Sequence, residues 1–133
     1  MIFFDTNVLV YYTINQDEEK QKRSKKLIED AIVDGEFFIS PLIMMEYIFV
    51  LSKLKILDEN RDKILFFSKF IEGNISTIET MEAYKICQES QCCKNINDVV
   101  HLIVAQQYCN KLLTYDSDFK KLQKYTNIEI EIL

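Results

Sequence analysis

Glycine is almost missing from this sequence: Gly35 and Gly73 are the only two, and they lie far apart. A phosphate-cradling Walker loop and a G-x-G-x-x-G dinucleotide turn both need clustered glycines for close backbone approach, so both are excluded. Histidine is scarcer still, with His101 alone. That excludes H-E-x-x-H zinc proteases and any site built from several histidines. Positive charge is also in deficit, since 16 Lys and Arg against 21 Asp and Glu leave a formal net charge of -5. A broad, non-specific grip on nucleic acid comes from cations displacing counterions, and it is not expected here. Acidity leaves a nucleic-acid enzyme open, because converging carboxylates that hold divalent ions reverse the local potential. The chemistry that remains must run mainly on carboxylates.

Long apolar runs are missing too. The start, MIFFDTNVLVYY, has no basic leader and carries Asp5 in its middle. Leu42 to Leu51 is interrupted by Glu46 and falls short of the about 20 residues a bilayer needs. A cytoplasmic chain without a membrane partner is expected. Four cysteines, Cys87, Cys92, Cys93 and Cys109, show no C-x-x-C spacing. An adjacent pair would close a strained disulfide ring, so they read as small buried thiols on helices. With 48% apolar and 28% charged residues the chain has a globular composition. Its 133 residues suffice for one core and one domain, residues 1–133.

Alternation organises the chain. Short apolar runs are each followed by a stretch of helical periodicity. Ile2-Phe3-Phe4 is the first run, then a short helical turn through Val8, Leu9 and Tyr12. A helix follows with acids first (Asp17, Glu18, Glu19) and bases after (Lys20 to Lys26), the order that suits the helix dipole. Leu27, Ile28, Ala31 and Ile32 form its buried stripe, and Asp34-Gly35 stops it. Phe37-Phe38-Ile39 is the second run, and Ser40-Pro41 starts the next helix with a cap and a first-turn proline. A further helix is predicted over roughly Asn60 to Phe70. Ile75 to Ile78 is a third run, with a helix from Thr80. Asn97 reads as the cap of a helix carrying Asp98, Lys111 to Thr114 as a fourth run, and Ser117 to Leu122 as a short helix. Ile128 to Ile132 reads as an edge strand. Strand and helix in alternation, without early hairpins, predict an α/β fold: a parallel sheet with helices on both faces. In such sheets the functional crevice lies beyond the carboxyl ends of the strands.

The acids fall at that edge. Asp5 ends the first strand, Glu46 lies on the helix after the second, Asp98 is in the first turn of the helix before the fourth, and Asp116 follows the fourth, with Asp118 two residues on. First-turn acids are common for dipole reasons alone, and Asp116-Ser117 also reads as a turn and cap. Glu46 is harder to explain away, because a lone charge in Leu42–Phe49 is costly unless paired or bound to metal. Two unit charges 4 Å apart repel by about 4 kcal/mol at an effective dielectric near 20. Four converging carboxylates therefore either take up protons or share a dication, and all-oxygen ligands suit Mg²⁺ or Mn²⁺ rather than zinc.

On these residues the sequence resembles the PIN-domain ribonucleases, and among them the small VapC-type toxins of toxin–antitoxin pairs. The segments FFDTNVLVYY, ISPLIMMEY, NDVVHLIVAQQ and LLTYDSDFKKL carry the resemblance in the family's order and spacing. It implies a three-layer α/β/α fold with a central parallel sheet of about five strands. It implies an acidic quartet at Asp5, Glu46, Asp98 and Asp116, and metal-assisted hydrolysis of RNA phosphodiesters that leaves a 5′-phosphate and a 3′-hydroxyl. Asp5 and Asp116 are the implied direct ligands of Mg²⁺ or Mn²⁺, with Asp98 direct or acting through water. Glu46 holds a second ion or orients a bound water. Thr6, Asn7 and Thr114 match the family's polar positions and support the ligands or touch phosphate; Asp118 matches a position that is often acidic. Similar toxins form homodimers and are silenced by a small antitoxin protein. Two rival readings stand beside this one: a PIN-like protein-binding module with little turnover, and a housekeeping RNA-processing nuclease of the same fold.

His101, three residues after Asp98, reads as a structural group near the site or as a catalytic base. The basic run Lys20 to Lys26 is either a solvated helix face or a grip for RNA or a partner. Tyr11, Tyr12 and Tyr115 either pack or stack bases. The apolar helix from Pro41 to Leu54 hints at a dimer or partner surface.

Overall fold

A computed structural model describes residues 1–91 and 95–133. The sheet is built from β1 (Ile2–Phe4), β2 (Phe37–Phe38), β3 (Lys111–Thr114) and β4 (Glu129–Ile132), all parallel, in the order β2-β1-β3-β4. Successive strand side chains point to opposite faces, yet Phe3, Phe4 and Leu112 are fully buried and Leu113 nearly so. Both faces of the central pair are therefore covered, as the α/β/α reading requires. Each such side chain contributes about 1.5–3 kcal/mol of apolar burial.

The helices are α1 (Thr6–Thr13), α2 (Glu18–Val33), α3 (Pro41–Lys53), α4 (Arg61–Phe67), α5 (Thr77–Ser90) and α6 (Ile96–Tyr108), with 3₁₀ turns at Asp58–Asn60, Ser68–Phe70 and Ser117–Tyr125. Predicted boundaries hold where chemistry sets them. Ser40 Oγ accepts the Ile43 N–H at 3.2 Å beneath Pro41. Gly35, at φ +70°, takes the left-handed turn that ends α2. The Thr13 and Tyr47 hydroxyls, 2.6 Å apart, tie α1 to α3.

The third apolar run is corrected. Ile75 to Ile78 is not a strand: Ser76 caps α5 and forms a reciprocal capping box with Glu79, so the helix starts at Thr77, three residues before the expected Thr80. The edge beyond β2 is instead touched by one parallel bridge between Ile39 and Ile71, where Glu72 N–H donates to Ile39 C=O at 3.0 Å. Asn97 is not a cap either, since α6 begins at Ile96 with Asn95 at its cap position. Of the cysteines, Cys87 is buried on α5 and Cys109 is half-buried just after α6; Cys92 and Cys93 lie outside the described residues. Among the described residues, no helix is long and apolar enough to cross a membrane.

Connections from β1 lead outward to β2, and those from β3 lead outward the other way to β4. Strand order thus reverses between β1 and β3. The carboxyl ends of these two strands flank the crevice where ligands bind in open parallel sheets.

Candidate active site

Asp5 leaves β1 at this switch point and caps α1. Its Oδ1 accepts the Thr6 N–H at 2.7 Å, and its Oδ2 accepts from Asn7 Nδ2 at 2.7 Å and from the Thr114 hydroxyl at 2.6 Å. Parallel pairing causes this closeness: β1 and β3 run in register from Ile2 opposite Lys111 to Phe4 opposite Leu113, and Asp5 N–H then donates to Leu113 C=O at 3.0 Å. Thr114, fully buried, is the hub. Besides donating to Asp5 it accepts from Asn7 Nδ2 at 3.0 Å and from Asp116 N–H at 2.9 Å. Asn7 Oδ1 completes the brace by accepting the Tyr115 N–H at 3.0 Å.

Asp5, Asp98 and Asp116 line one open groove of about 350 Å³, together with Thr6, Asn7 and Tyr11. Val10 on α1, Gln16 beyond its end and Val50 on α3 also line it; none of the three stood out in the sequence as a site residue. Burial pushes the Asp98 carboxyl up to about 7, and the charges of Asp5, Asp116 and Glu46 add to the rise against the opposing effect of His101. Burial also raises Asp5 above the ordinary carboxylate range, while His101, Thr114 and Thr6 pull the other way.

Glu46 is a differently held acid. Its Oε2 accepts from the Thr6 hydroxyl at 2.6 Å and lies 2.9 Å from His101 Nε2, and its Oε1 accepts from Asn97 Nδ2 at 2.7 Å. Burial alone would raise its pKa, but the His101, Thr6 and Asn97 contacts outweigh it and lower the group below its usual value. Ligand atoms of Asp5, Glu46 and His101 come within 4.8 Å of one another. That trio is tighter than the groove acids, yet every carboxylate oxygen in it already accepts a hydrogen bond, and His101 is only 1% exposed. Asp5, Asp98 and Asp116 form a second oxygen set along the open groove, and a hard dication there would relieve the repulsion among them.

Thr6, Asn7, Thr114 and His101 therefore stand against the acids as polar supports. Asp118 departs from the cluster. It is exposed, its N–H caps back onto Asp116 Oδ1 at 2.8 Å, and its carboxylate lies 3.6 Å from Lys121. Asn97, read from sequence as a helix cap, spends its side chain on Glu46 instead.

The sequence pattern of the PIN domain matches residues 2–125. No curated protein matches the chain. Among solved structures, VapBC2 from Rickettsia felis bound to a DNA fragment from its promoter shares 21% identity over 98% of both chains, with a TM-score of 0.66. A toxin–antitoxin complex from Klebsiella pneumoniae shares 22% identity over 90% of both chains, with a TM-score of 0.61. The family match spans both strand ends and all four acids, and the chain belongs to the PIN domain family.

Proposed function

We propose that this protein is a Mg²⁺- or Mn²⁺-dependent endoribonuclease and the toxin of a type II toxin–antitoxin pair. The observation that carries the reading is the groove in which Asp5, Asp98 and Asp116 meet at the sheet's switch point, with Asp98 held near pH 7 by burial and by its acidic neighbours. The repulsion within such a cluster would be relieved by a divalent cation. Asp5, Asp98 and Asp116 would hold the dication, which when bound neutralises phosphate charge and acidifies water.

The chain's own residues prepare that chemistry. Thr114 and Asn7 fix the Asp5 carboxylate in one orientation, so little reorganisation remains at the moment of reaction. Thr6, Asn97 and His101 hold Glu46 ionised at neutral pH, a fixed acceptor facing the Asp5 side of the site. Asp98, raised to about 7 by burial and by its acidic neighbours, would have to be ionised to join Asp5 and Asp116 in holding the ion. The groove is open along one side, as a polymeric substrate requires.

The toxin role draws on the fold shared with toxin–antitoxin structures, and an antitoxin is the expected protein partner. A homodimer is proposed from the apolar side chains left in solvent, Met45 and Phe49 on α3 and Ile78, Met81 and Tyr84 on α5, each at least half exposed. Light scattering of the purified protein tests that point. The central experiment is cleavage of single-stranded RNA against DNA with Mg²⁺ or Mn²⁺. RNA cleavage that disappears with chelator and in Asp5→Asn is expected; activity indifferent to both would overturn the metal mechanism.

A further inference from the structure

The acidic groove abuts a pair of touching tyrosine rings. Tyr11 lines the groove, and its centroid lies 4.9 Å from that of Tyr115, the residue before Asp116. Tyr115 in turn lines a second hollow of about 170 Å³ with Glu19, Lys20, Arg23 and Leu133. Groove and hollow are thus neighbours across one aromatic contact.

Lys20 stands apart from the basic run it opens. Lys22, Arg23, Lys25 and Lys26 are exposed, whereas Lys20 is half-buried. Lys22 pairs with Glu18 at 2.9 Å and Arg23 reaches Glu131 at 3.7 Å. Among the described residues Lys20 has no carboxylate within ion-pair distance. Its Nζ lies instead 4.8 Å from the Tyr11 centroid and 5.2 Å from the Tyr115 centroid, and donates to the Tyr11 hydroxyl at 3.4 Å. The Tyr115 hydroxyl donates to the Lys20 carbonyl at 3.2 Å and sits 3.1 Å from Ser24 Oγ, so the rings themselves are anchored to α2. Ring faces attract an ammonium without cancelling its charge. A positioned, un-neutralised cation therefore stands next to the acidic groove in a chain of net charge -5.

We propose that Lys20, steadied by Tyr11 and Tyr115, is a substrate-positioning residue: it takes a non-reacting phosphate of the RNA strand whose scissile phosphate lies in the acidic groove. This rests on the nuclease reading above. A cation at this place supplies what the groove lacks, an attraction for the strand beyond the reacting phosphate, and it fixes the direction in which the strand leaves.

The test measures RNA binding and cleavage separately, on the full chain. Binding of a labelled single-stranded RNA is followed by fluorescence anisotropy in Ca²⁺ over a salt series, and cleavage in Mn²⁺. Lys20→Met is expected to weaken binding about tenfold and to flatten the slope of log affinity against log salt by about 0.7, the share of one phosphate contact. KM should rise about tenfold while kcat changes less than about twofold. Lys20→Arg should restore most of the affinity. Lys25→Met, which removes the same charge from the solvated face, should leave both readouts unchanged, and thermal melting checks that each variant is folded. Equal behaviour of Lys20→Met and Lys25→Met would overturn the proposal and leave the nuclease reading intact. Lys20-dependent binding without any cleavage would keep the phosphate contact and remove the nuclease reading. A wild-type protein that neither binds nor cleaves RNA would remove both.

Discussion

Burial pushes the Asp98 carboxyl up to about 7, whereas a dication held in the groove as proposed would need it ionised, so proton and ion would compete for the same oxygens. With a pKa near 7, the fraction of Asp98 free to bind is about 0.9 at pH 8, half at pH 7 and about 0.1 at pH 6. Apparent Mn²⁺ affinity should therefore fall about tenfold from pH 8 to pH 6, with close to one proton released per ion at the lower pH. Burial shifts Asp5 in the same upward direction. Glu46 is held below its usual value, stays ionised across the window and adds nothing. Isothermal titration at three pH values, in buffers of different ionisation enthalpy, reads both the affinity and the proton count. Asp98→Asn should bind more weakly at pH 8 and lose much of the proton release. Equal wild-type affinity at pH 6 and pH 8, with a heat that does not depend on buffer, would refute the reasoning.

The same groups set stability in chelator. A carboxyl raised in the folded state keeps its proton where the unfolded chain has lost it, so stability falls as pH rises from about 4 through 7. Asp98→Asn removes that penalty and should melt roughly 3 °C higher than wild type at pH 8, by scanning fluorimetry, while losing cleavage. Thr114→Val keeps the shape but leaves the Asp116 N–H without its acceptor and Asp5 short of a donor. A loss of about 1–3 kcal/mol in urea unfolding is expected, and an unchanged midpoint would show the hub to be dispensable. Gly73→Ala meets two obstacles: φ of +86°, and a Cβ only 3.1 Å from Phe38 and 3.2 Å from Tyr108. It should be destabilised by about 1–3 kcal/mol in the same assay, more than Gly35→Ala, where positive φ is the only obstacle.

Strand ends and acids were legible because each depends on local sequence. Ile2-Phe3-Phe4 and Lys111–Thr114 stop where polar residues begin, and a parallel sheet brings those stops together. At Ile75–Ile78 the sequence carries both signals, and the capping-box spacing of Ser76 and Glu79 outweighs the short apolar run. Contacts across elements were not legible. The tie from Asn97 to Glu46 spans 51 positions and depends on where α3 meets α6, so no window of sequence contains it. Lys20 likewise looked like its neighbours in the run until Tyr11 and Tyr115 were placed beside it. His101 was legible as lying near the site; that its Nε2 turns to Glu46 was not.

The hydrogen bond from Thr114 to Asp5 joins residues 109 apart. During synthesis Asp5 leaves the ribosome 109 residues ahead of Thr114, with Asp116 two residues later still. An unfinished polypeptide therefore holds Asp5 without its brace or its last acidic neighbour. Whatever reactivity the finished pocket possesses is withheld from a nascent chain that has not yet reached Asp116.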